Sequence, residues 1–135
     1  MRILITGGAG YLGSVITRQL LLHHTVTVID NLMYNQTSLL DLFGKPGFKF
    51  IYGDVRDTNL LLKQVKEHDV IIPLAAIVGF PSCEKDKQLA TDVNFNQIKN
   101  IVDNLFLEHL EQKANHQWPI FTIFSLFSWR LNLLK

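Results

Sequence analysis

The glycine-rich stretch at residues 7–13 is the part of the sequence whose residue types and spacing point most directly to chemistry. Its glycines are Gly7, Gly8, Gly10 and Gly13, and they fit G-x-G-x-x-G and G-x-x-G-x-x-G at once. Either spacing allows a tight turn from a strand into a helix and lets the backbone approach a pyrophosphate closely. The free N–H groups near Tyr11 and Leu12 would then face the phosphates, with the positive end of the helix dipole behind them.

A carboxylate follows the glycines at the distance that a dinucleotide site requires. Asp30 stands 20 positions after Gly10, where it can accept hydrogen bonds from both hydroxyls of an adenine-side ribose. Since a glycine turn also forms for steric reasons without a ligand, it is the strand, glycines, helix and acid in register that predict dinucleotide binding. The charge of Asp30 would repel a 2′-phosphate, and no Arg or Lys occurs in residues 31–38 to accommodate one. The sequence therefore favours NAD over NADP.

Short apolar runs alternate with helical patterns, and this alternation would position the glycines and the acid. Most of the runs are nearly continuous, as expected for strands covered on both faces. The predicted strands are 2–6, 25–30, 48–52, 69–74 and 119–125. The predicted helices are 11–24, 58–68 (with Asp57 as N-cap) and 86–113. With right-handed crossovers, these elements predict an α/β fold, a Rossmann-type doubly wound parallel sheet of about five strands.

Composition and charge exclude several classes of protein. The 135 residues are 47% hydrophobic, which is typical of one globular domain spanning 1–135. A net charge of +1 gives no overall field toward nucleic acid or an anionic membrane. Cys83 is the only cysteine, so an internal disulfide and a cysteine-based zinc cluster are excluded. No signal peptide or membrane-spanning run is evident, and we expect a cytoplasmic protein.

Several motifs occur in the order and spacing of one enzyme family. They are "TGGAGYLGS", "DNL", "GDVRD", "LAA" and "VNFNQIKNIVDNL". Over residues 1 to about 110, the sequence resembles the N-terminal half of extended short-chain dehydrogenases/reductases, the NAD-dependent nucleotide-sugar epimerases and dehydratases. The glycine motif is shared by many Rossmann proteins, but the ordered set is much more specific. The resemblance implies NAD as cofactor, held at this end of the site by Gly7, Gly10, Tyr11, Leu12, Gly13, Asp30 and Asn31.

The resemblance also implies roles further along the chain. Asp54 would accept a hydrogen bond from the adenine amino group, Val55 would lie against the adenine, and Asn94 would brace the long helix beside the site. The residues that would line the crevice beside the cofactor ribose are Leu74, Ala75 and Ala76. Small side chains at a strand's carboxyl end let a ligand lie against the backbone. Simpler alternatives remain open, since Asp54 could be a turn acid and the two alanines could serve ordinary helix packing.

Two features depart from the family pattern. Pro73 stands where the family often has histidine, and because proline cannot donate to a central ladder, we expect the strand to stop donating there. The resemblance also implies a catalytic Tyr-x-x-x-Lys pair, in which the Lys charge lowers the pKa of the Tyr that acts as general acid or base. This pair is absent, because the residues four positions after the three tyrosines are Val15, Ser38 and Arg56. No catalytic residue is assigned to this chain.

The segment 119–135 is atypical of the family. Apolar residues crowd positions 120–134, which fits a fifth strand with a short helix, or the product of a truncation or shifted reading frame. Ser125 and Ser128 fall roughly where the family places its catalytic Ser or Thr, but neither is assigned. An apolar terminal segment of this kind would favour self-association.

The remaining candidates for chemistry have simpler interpretations. Cys83 could approach a nicotinamide or a substrate, but a lone cysteine is more often a small buried or loop residue. The histidines show no metal-ligand spacing with acids or with Cys83, so no metal site is predicted and they are interpreted as solvent-facing or cap residues. They are His23, His24, His68, His109 and His116.

Three functions are compatible with these observations. The first is the NAD(H)-binding portion of a nucleotide-sugar epimerase or dehydratase, without turnover as this chain alone and with a nucleotide-sugar substrate only when a C-terminal half completes it. The second is a non-catalytic NAD-binding sensor or regulatory module, which the absent Tyr and Lys would also explain. The third is an inactive truncated remnant.

Replacement of Asp30 by Ala is expected to weaken NADH binding by at least about tenfold, because charge-assisted hydrogen bonds contribute roughly 1.5–3 kcal/mol each. The measurement is a titration of the purified chain with NADH, following energy transfer from Trp118 and Trp129. Equal affinities of wild type and Asp30→Ala would contradict the assignment of Asp30 to the ribose.

Overall fold

The computed structural model describes the backbone of residues 1–112 and the side chains of residues 1–105. Within this part of the chain, four parallel strands form one sheet in the order β3-β2-β1-β4. The strands are β1 (Arg2–Thr6), β2 (Thr25–Asp30), β3 (Phe48–Tyr52) and β4 (Val70–Pro73). The strand order reverses between β1 and β4, as in a Rossmann sheet, where this reversal opens a crevice.

Five α-helices connect or follow the described strands. They are α1 (Tyr11–Leu21), α2 (Thr58–Lys66), α3 (Phe80–Lys85), α4 (Lys87–Thr91) and α5 (Gln97–Gln112), with a π-helical turn (Asp92–Asn96) joining α4 to α5. The side chain of Asp57 caps α2 by accepting from the Leu60 N–H, which confirms the predicted N-cap. The long helix predicted over 86–113 is thus present, but a π-turn interrupts its α-helical register.

The sheet is covered on both faces, as the continuous apolar runs predicted. Along β1, Ile3 and Ile5 belong to one buried cluster and Leu4 belongs to the other, because successive strand side chains point to opposite faces. Helix α5 contributes Ile101 to the Leu4 cluster, and the loop after β2 contributes Leu42 to the Ile3 cluster. The predicted Rossmann-type α/β fold is confirmed, while the fifth strand predicted at 119–125 lies outside the described residues.

Pro73 does not interrupt the pairing of β4 with β1. The prediction that the strand stops donating there was wrong for this edge, because the Leu74 N–H donates to the Thr6 carbonyl (3.0 Å). Successive N–H groups of a strand point to opposite sides, so the missing N–H of Pro73 falls on the side of β4 away from β1. The proline therefore costs the described sheet no hydrogen bond.

His68 is buried and hydrogen-bonded, so its interpretation as a solvent-facing residue was wrong, whereas its bond to a carbonyl in the last turn of α2 agrees with the alternative of a cap residue. Its Nδ1 lies 2.6 Å from the Gln64 carbonyl oxygen and its Nε2 lies 2.7 Å from Thr27 Oγ1. Desolvation by burial lowers the pKa of His68, and this outweighs the hydrogen bond to Gln64 and the charge of Glu67, which raise it. The folded chain therefore holds His68 as neutral imidazole linking α2 to β2.

The depressed pKa of His68 makes stability depend on pH. Below its unfolded value near 6.5, the unfolded chain binds a proton that the folded chain resists, so the free energy of unfolding decreases as pH falls. The slope from this one group is at most about 1.4 kcal/mol per pH unit. Urea unfolding of wild type and His68→Gln between pH 7.5 and 5.5 is expected to show a shallower dependence in the variant. Parallel dependences would contradict the account, and His23→Gln, at an exposed histidine, is the matched control.

Candidate functional site

A cavity of about 500 Å³ opens at the carboxyl ends of the strands, where the strand order reverses. This is the size and the place expected of a ligand site in an open parallel sheet. The predicted residues on its lining are Gly7, Gly10, Tyr11, Leu12, Gly13, Asp30, Asn31, Asp54, Val55, Leu74, Ala75 and Ala76. Asn94 is the one predicted residue outside the lining. The fold thus brings together residues from four separate strand ends.

The glycine turn lies directly against the end of β4. Gly7 has a φ of +69°, and a Cβ there would lie 2.5 Å from both the Cα and the N of Ala75. A Cβ on Gly13 would lie 2.6 Å from the Gly7 oxygen and the Gly8 Cα. Because backbone atoms occupy these positions, side chains are excluded sterically.

Helix α1 begins at this turn with its N–H groups open to the cavity. Its first helical hydrogen bond runs from the Ser14 N–H to the Gly10 carbonyl (2.9 Å), so the N–H groups of the three preceding helical residues have no acceptor within the helix. Gly10, the N-cap, has no side chain to supply one, and the first turn carries no acid. These donors and the helix dipole are suited to binding an anion. The described lining of the cavity contains no Lys or Arg that could do the same.

Asp30 links the end of β2 to the glycine turn. Its side chain is buried, with Oδ2 accepting from the Ala9 N–H (2.9 Å) and Oδ1 accepting from the Leu32 N–H (2.8 Å). A carboxylate has about four acceptor sites, so two remain for hydroxyl donors in the cavity. Asp30 is therefore held in place by the same turn that would hold a pyrophosphate.

The loop after β2 contributes lining residues that the sequence analysis did not identify. They are Met33, Tyr34 and Gln36. Ser38 fixes this loop by donating to the Ala9 carbonyl (2.7 Å), and Arg18 of α1 donates to the Ser38 carbonyl and pairs with Asp41 (2.6 Å). No motif marks these residues, although their position directly after the strand-ending acid placed them next to the site.

Asp54 lies at the end of β3 in a cluster of hydrogen-bond donors. Arg56 lowers the pKa of Asp54 to about 2, chiefly through its side-chain hydrogen bonds (Nη2 to Oδ2, 2.7 Å), which outweigh partial burial. The Arg56 N–H and Asn31 Nδ2 also donate to it. The carboxylate is ionised at neutral pH and can only accept. This suits the amino group of a purine, and Asp54 also acts as the turn acid that the sequence left open.

Asn94 lies behind the segment that follows β4. Its Oδ1 accepts from the Ile77 N–H and its Nδ2 donates to the Ile77 carbonyl, both at 2.8 Å. This pair of bonds fastens the lining segment 74–78 to the long helix. Asn94 thus supports the cavity wall from outside.

Cys83 does not line the cavity. Its thiol donates to the Ile77 carbonyl (3.4 Å), and its half-buried side chain packs against the core cluster that contains Leu4. This agrees with the simpler interpretation of Cys83 as a small packing residue. Among the described residues, no group of His, Cys, Asp and Glu could hold a metal ion, while Ser125, Ser128, His109 and His116 lie outside the described side chains.

Together, the strand order, the glycine turn and the acid at the end of β2 define a dinucleotide-binding Rossmann domain. The model of the NAD dependent epimerase/dehydratase family matches residues 3–114. The chain belongs to that family, whose cofactor is NAD. The resemblance drawn from the motifs is therefore confirmed.

Similar proteins span sugar-nucleotide enzymes of several types. A UDP-N-acetyl-alpha-D-glucosaminuronate decarboxylase of Bacillus cytotoxicus is 33% identical over 103 residues, covering 75% of this chain and 32% of the relative. The structure of a dTDP-glucose 4,6-dehydratase from Streptomyces venezuelae, solved with NAD bound, matches with a TM-score of 0.69 and 31% identity, over 76% of this chain and 35% of that one. The chain thus spans about a third of the length of the relatives that it matches.

One further relative differs in its name. A Methanocaldococcus jannaschii protein named as an uncharacterized membrane protein is 31% identical over 115 residues, covering 82% of this chain and 34% of the relative. In the described part of this chain, no helix has the length and apolar character needed to cross a bilayer.

Substitution of Gly13 by Ala is expected to destabilise the fold by about 1–3 kcal/mol, the usual cost of forcing extra atoms into packed surroundings, and to abolish NADH binding. Gly44→Ala is the matched control, since Gly44 has a φ of +82° but no atom within 4 Å of its Cβ position. The control loses stability through backbone strain of about 1–2 kcal/mol and retains the wild-type affinity for NADH. Urea unfolding and calorimetric titration check both, and a Gly13→Ala chain that binds NADH normally would contradict the close approach.

Proposed function

We propose that this chain is the NAD(H)-binding portion of a nucleotide-sugar epimerase or dehydratase. The observation that carries the proposal is Asp30, whose buried carboxylate accepts from the glycine turn and faces the same cavity as the open N-terminus of α1. One wall thereby offers donors for a pyrophosphate and the adjoining wall offers acceptors for ribose hydroxyls. The relatives include dehydratases and epimerases of nucleotide sugars, which supports the substrate class.

Each part of NAD has residues of matching chemistry. The N–H groups at Tyr11, Leu12 and Gly13 would hold the pyrophosphate, and Asp30 and Asn31 would hold the adenine-side ribose. Asp54 would accept from the adenine amino group with Val55 against the ring. Leu74, Ala75 and Ala76 would lie beside the second ribose, on the β4 side of the glycine turn, with Asn94 supporting them.

When bound, NAD supplies reversible hydride transfer. This chain's own residues would bind and orient it, and the cavity lining on the β4 side is apolar. The Tyr-x-x-x-Lys pair that would move the sugar hydroxyl proton does not occur in these 135 residues. We therefore propose binding without turnover by this chain alone, and a role as a non-catalytic NAD sensor rests on the same absence.

The proposal extends to the whole of residues 1–135 as one NAD-binding domain. A cytoplasmic location stays a prediction from the single cysteine. Self-association through residues 120–134 also stays a prediction, because that segment lies outside the described residues.

The proposal predicts a cofactor preference set by Asp30. Calorimetry is expected to show NADH binding at least about tenfold tighter than NADPH, because the buried carboxylate repels a 2′-phosphate. Asp30→Asn removes that charge and is expected to reduce the ratio of the Kd for NADPH to the Kd for NADH. Damage to the glycine turn alone would instead raise both Kd values by the same factor. Asp103→Asn, at an exposed acid of α5, is the charge-matched control and keeps the wild-type ratio. An unchanged ratio in Asp30→Asn would contradict the assignment.

The proposal also predicts no catalysis by the chain alone. UDP-glucose or dTDP-glucose incubated with the purified chain and NAD is expected to give neither NADH absorbance at 340 nm nor altered sugar nucleotide by chromatography. Oxidation of either sugar would contradict binding without turnover, and it would also exclude the sensor role.

A further inference from the structure

Gln97 is a fully buried amide at the start of α5 with every hydrogen-bonding group used. Its Nε2 donates to the Ala75 and Val93 carbonyls, both at 2.7 Å, and its Oε1 accepts from Thr6 Oγ1 at 3.4 Å. Burying an amide this deeply is unfavourable unless its bonds are made. The Gln97 side chain therefore fixes the positions of the two carbonyls and the hydroxyl to which it bonds.

The π-turn before α5 creates the bond to Val93. The Gln97 N–H donates to the Asp92 carbonyl, five residues back, instead of to the Val93 carbonyl, four residues back. That freed carbonyl is taken by the side chain of Gln97 itself. The π-turn and the Gln97 side chain thus depend on each other. The second Nε2 hydrogen of Gln97 donates to the Ala75 carbonyl.

Ala75 is held from both sides of its peptide backbone. Its N–H donates to Thr6 Oγ1 (3.4 Å) and its carbonyl accepts from Gln97 Nε2. Two residues further on, Ile77 is held in the same way by Asn94. Side chains three apart on the helix thereby bond to residues two apart in the segment that follows β4.

The segment that Gln97 holds forms only one half of the cavity. Asp30 and Asp54 lie at the ends of β2 and β3, on the adenosine side of the glycine turn. Ala75 lies at the end of β4, on the opposite side. A dinucleotide crosses the crevice between these halves, so the β4 side would receive the second ribose and the nicotinamide.

We propose that Gln97 is a positioning residue for the nicotinamide half of NAD, acting through the backbone of Ala75 and the hydroxyl of Thr6. The inference rests on the proposed function, since it assigns the two cavity halves to the two halves of the dinucleotide. If Gln97 only contributed to folding in general, its loss would weaken all ligands of the cavity alike. Loss of Gln97 must weaken a ligand that reaches the β4 side more than one confined to the adenosine side.

The test compares NADH with ADP, which lacks the second ribose and the nicotinamide, by calorimetry on the full chain. Gln97→Met removes the amide at similar volume and is expected to raise the Kd for NADH about five- to tenfold while changing the Kd for ADP less than twofold. The size corresponds to the loss of one or two buried hydrogen bonds. Gln64→Met is the matched control, because Gln64 is an equally buried glutamine of α2 outside the cavity lining, and both of its Kd values stay at wild type.

A second pair of variants tests the same network if Gln97→Met does not fold. Thr6→Val removes the hydroxyl between Ala75 and Gln97 and is expected to weaken NADH selectively, while Thr6→Ser restores the wild-type affinity. Equal losses for NADH and ADP, or no loss for either, in a folded variant would overturn the role of Gln97 and leave the proposed function intact. Failure of the wild-type chain to bind either ligand would overturn the proposed function and the inference with it.

Discussion

The approach of the Gly7 backbone to the Ala75 backbone is the constraint on which the rest of the site depends. A Cβ on Gly7 would lie 2.5 Å from two Ala75 atoms, so the chain can turn at the end of β1 only with a glycine there. That turn aims the start of α1 at the crevice between β1 and β4, and it brings the Ala9 N–H to Asp30. The N–H groups at the start of α1, the carboxylate of Asp30 and the cavity wall after β4 are therefore positioned by one contact.

The electrostatics of the cavity follow from the same geometry. The chain carries a net charge of only +1, and the described lining holds two aspartates but no Lys or Arg. An anion there would be stabilised by oriented backbone N–H groups, which carry no net charge and act over a short range. The aspartates are then free to accept from hydroxyl and amino groups, and Arg56 keeps one of them ionised.

The sequence was sufficient to predict features set by local rules. The glycine turn follows from backbone sterics, the strands follow from nearly continuous apolar runs, and Asp30 follows from its spacing after the glycines. The fold was predicted from these features, and the family was recognised from the ordered set of motifs. The π-turn, the burial of His68 and the network of Gln97 were not predicted. The burial of His68 and the network of Gln97 each depend on a partner distant in sequence, Thr27 for His68 and Ala75 for Gln97. A shift of one residue in helical register, as at the π-turn, changes which side chain meets such a partner.

The most direct test of the account is the amide NMR spectrum of the ¹⁵N-labelled chain during a titration with NAD⁺. Saturable shifts are expected for the amides of Tyr11, Leu12 and Gly13. The amides of Arg2 and Asp69, at the opposite ends of the strands, are expected to stay unchanged. Saturable shifts confined to other surfaces, or none at the glycine turn of the folded chain, would contradict the claim that this turn holds a dinucleotide.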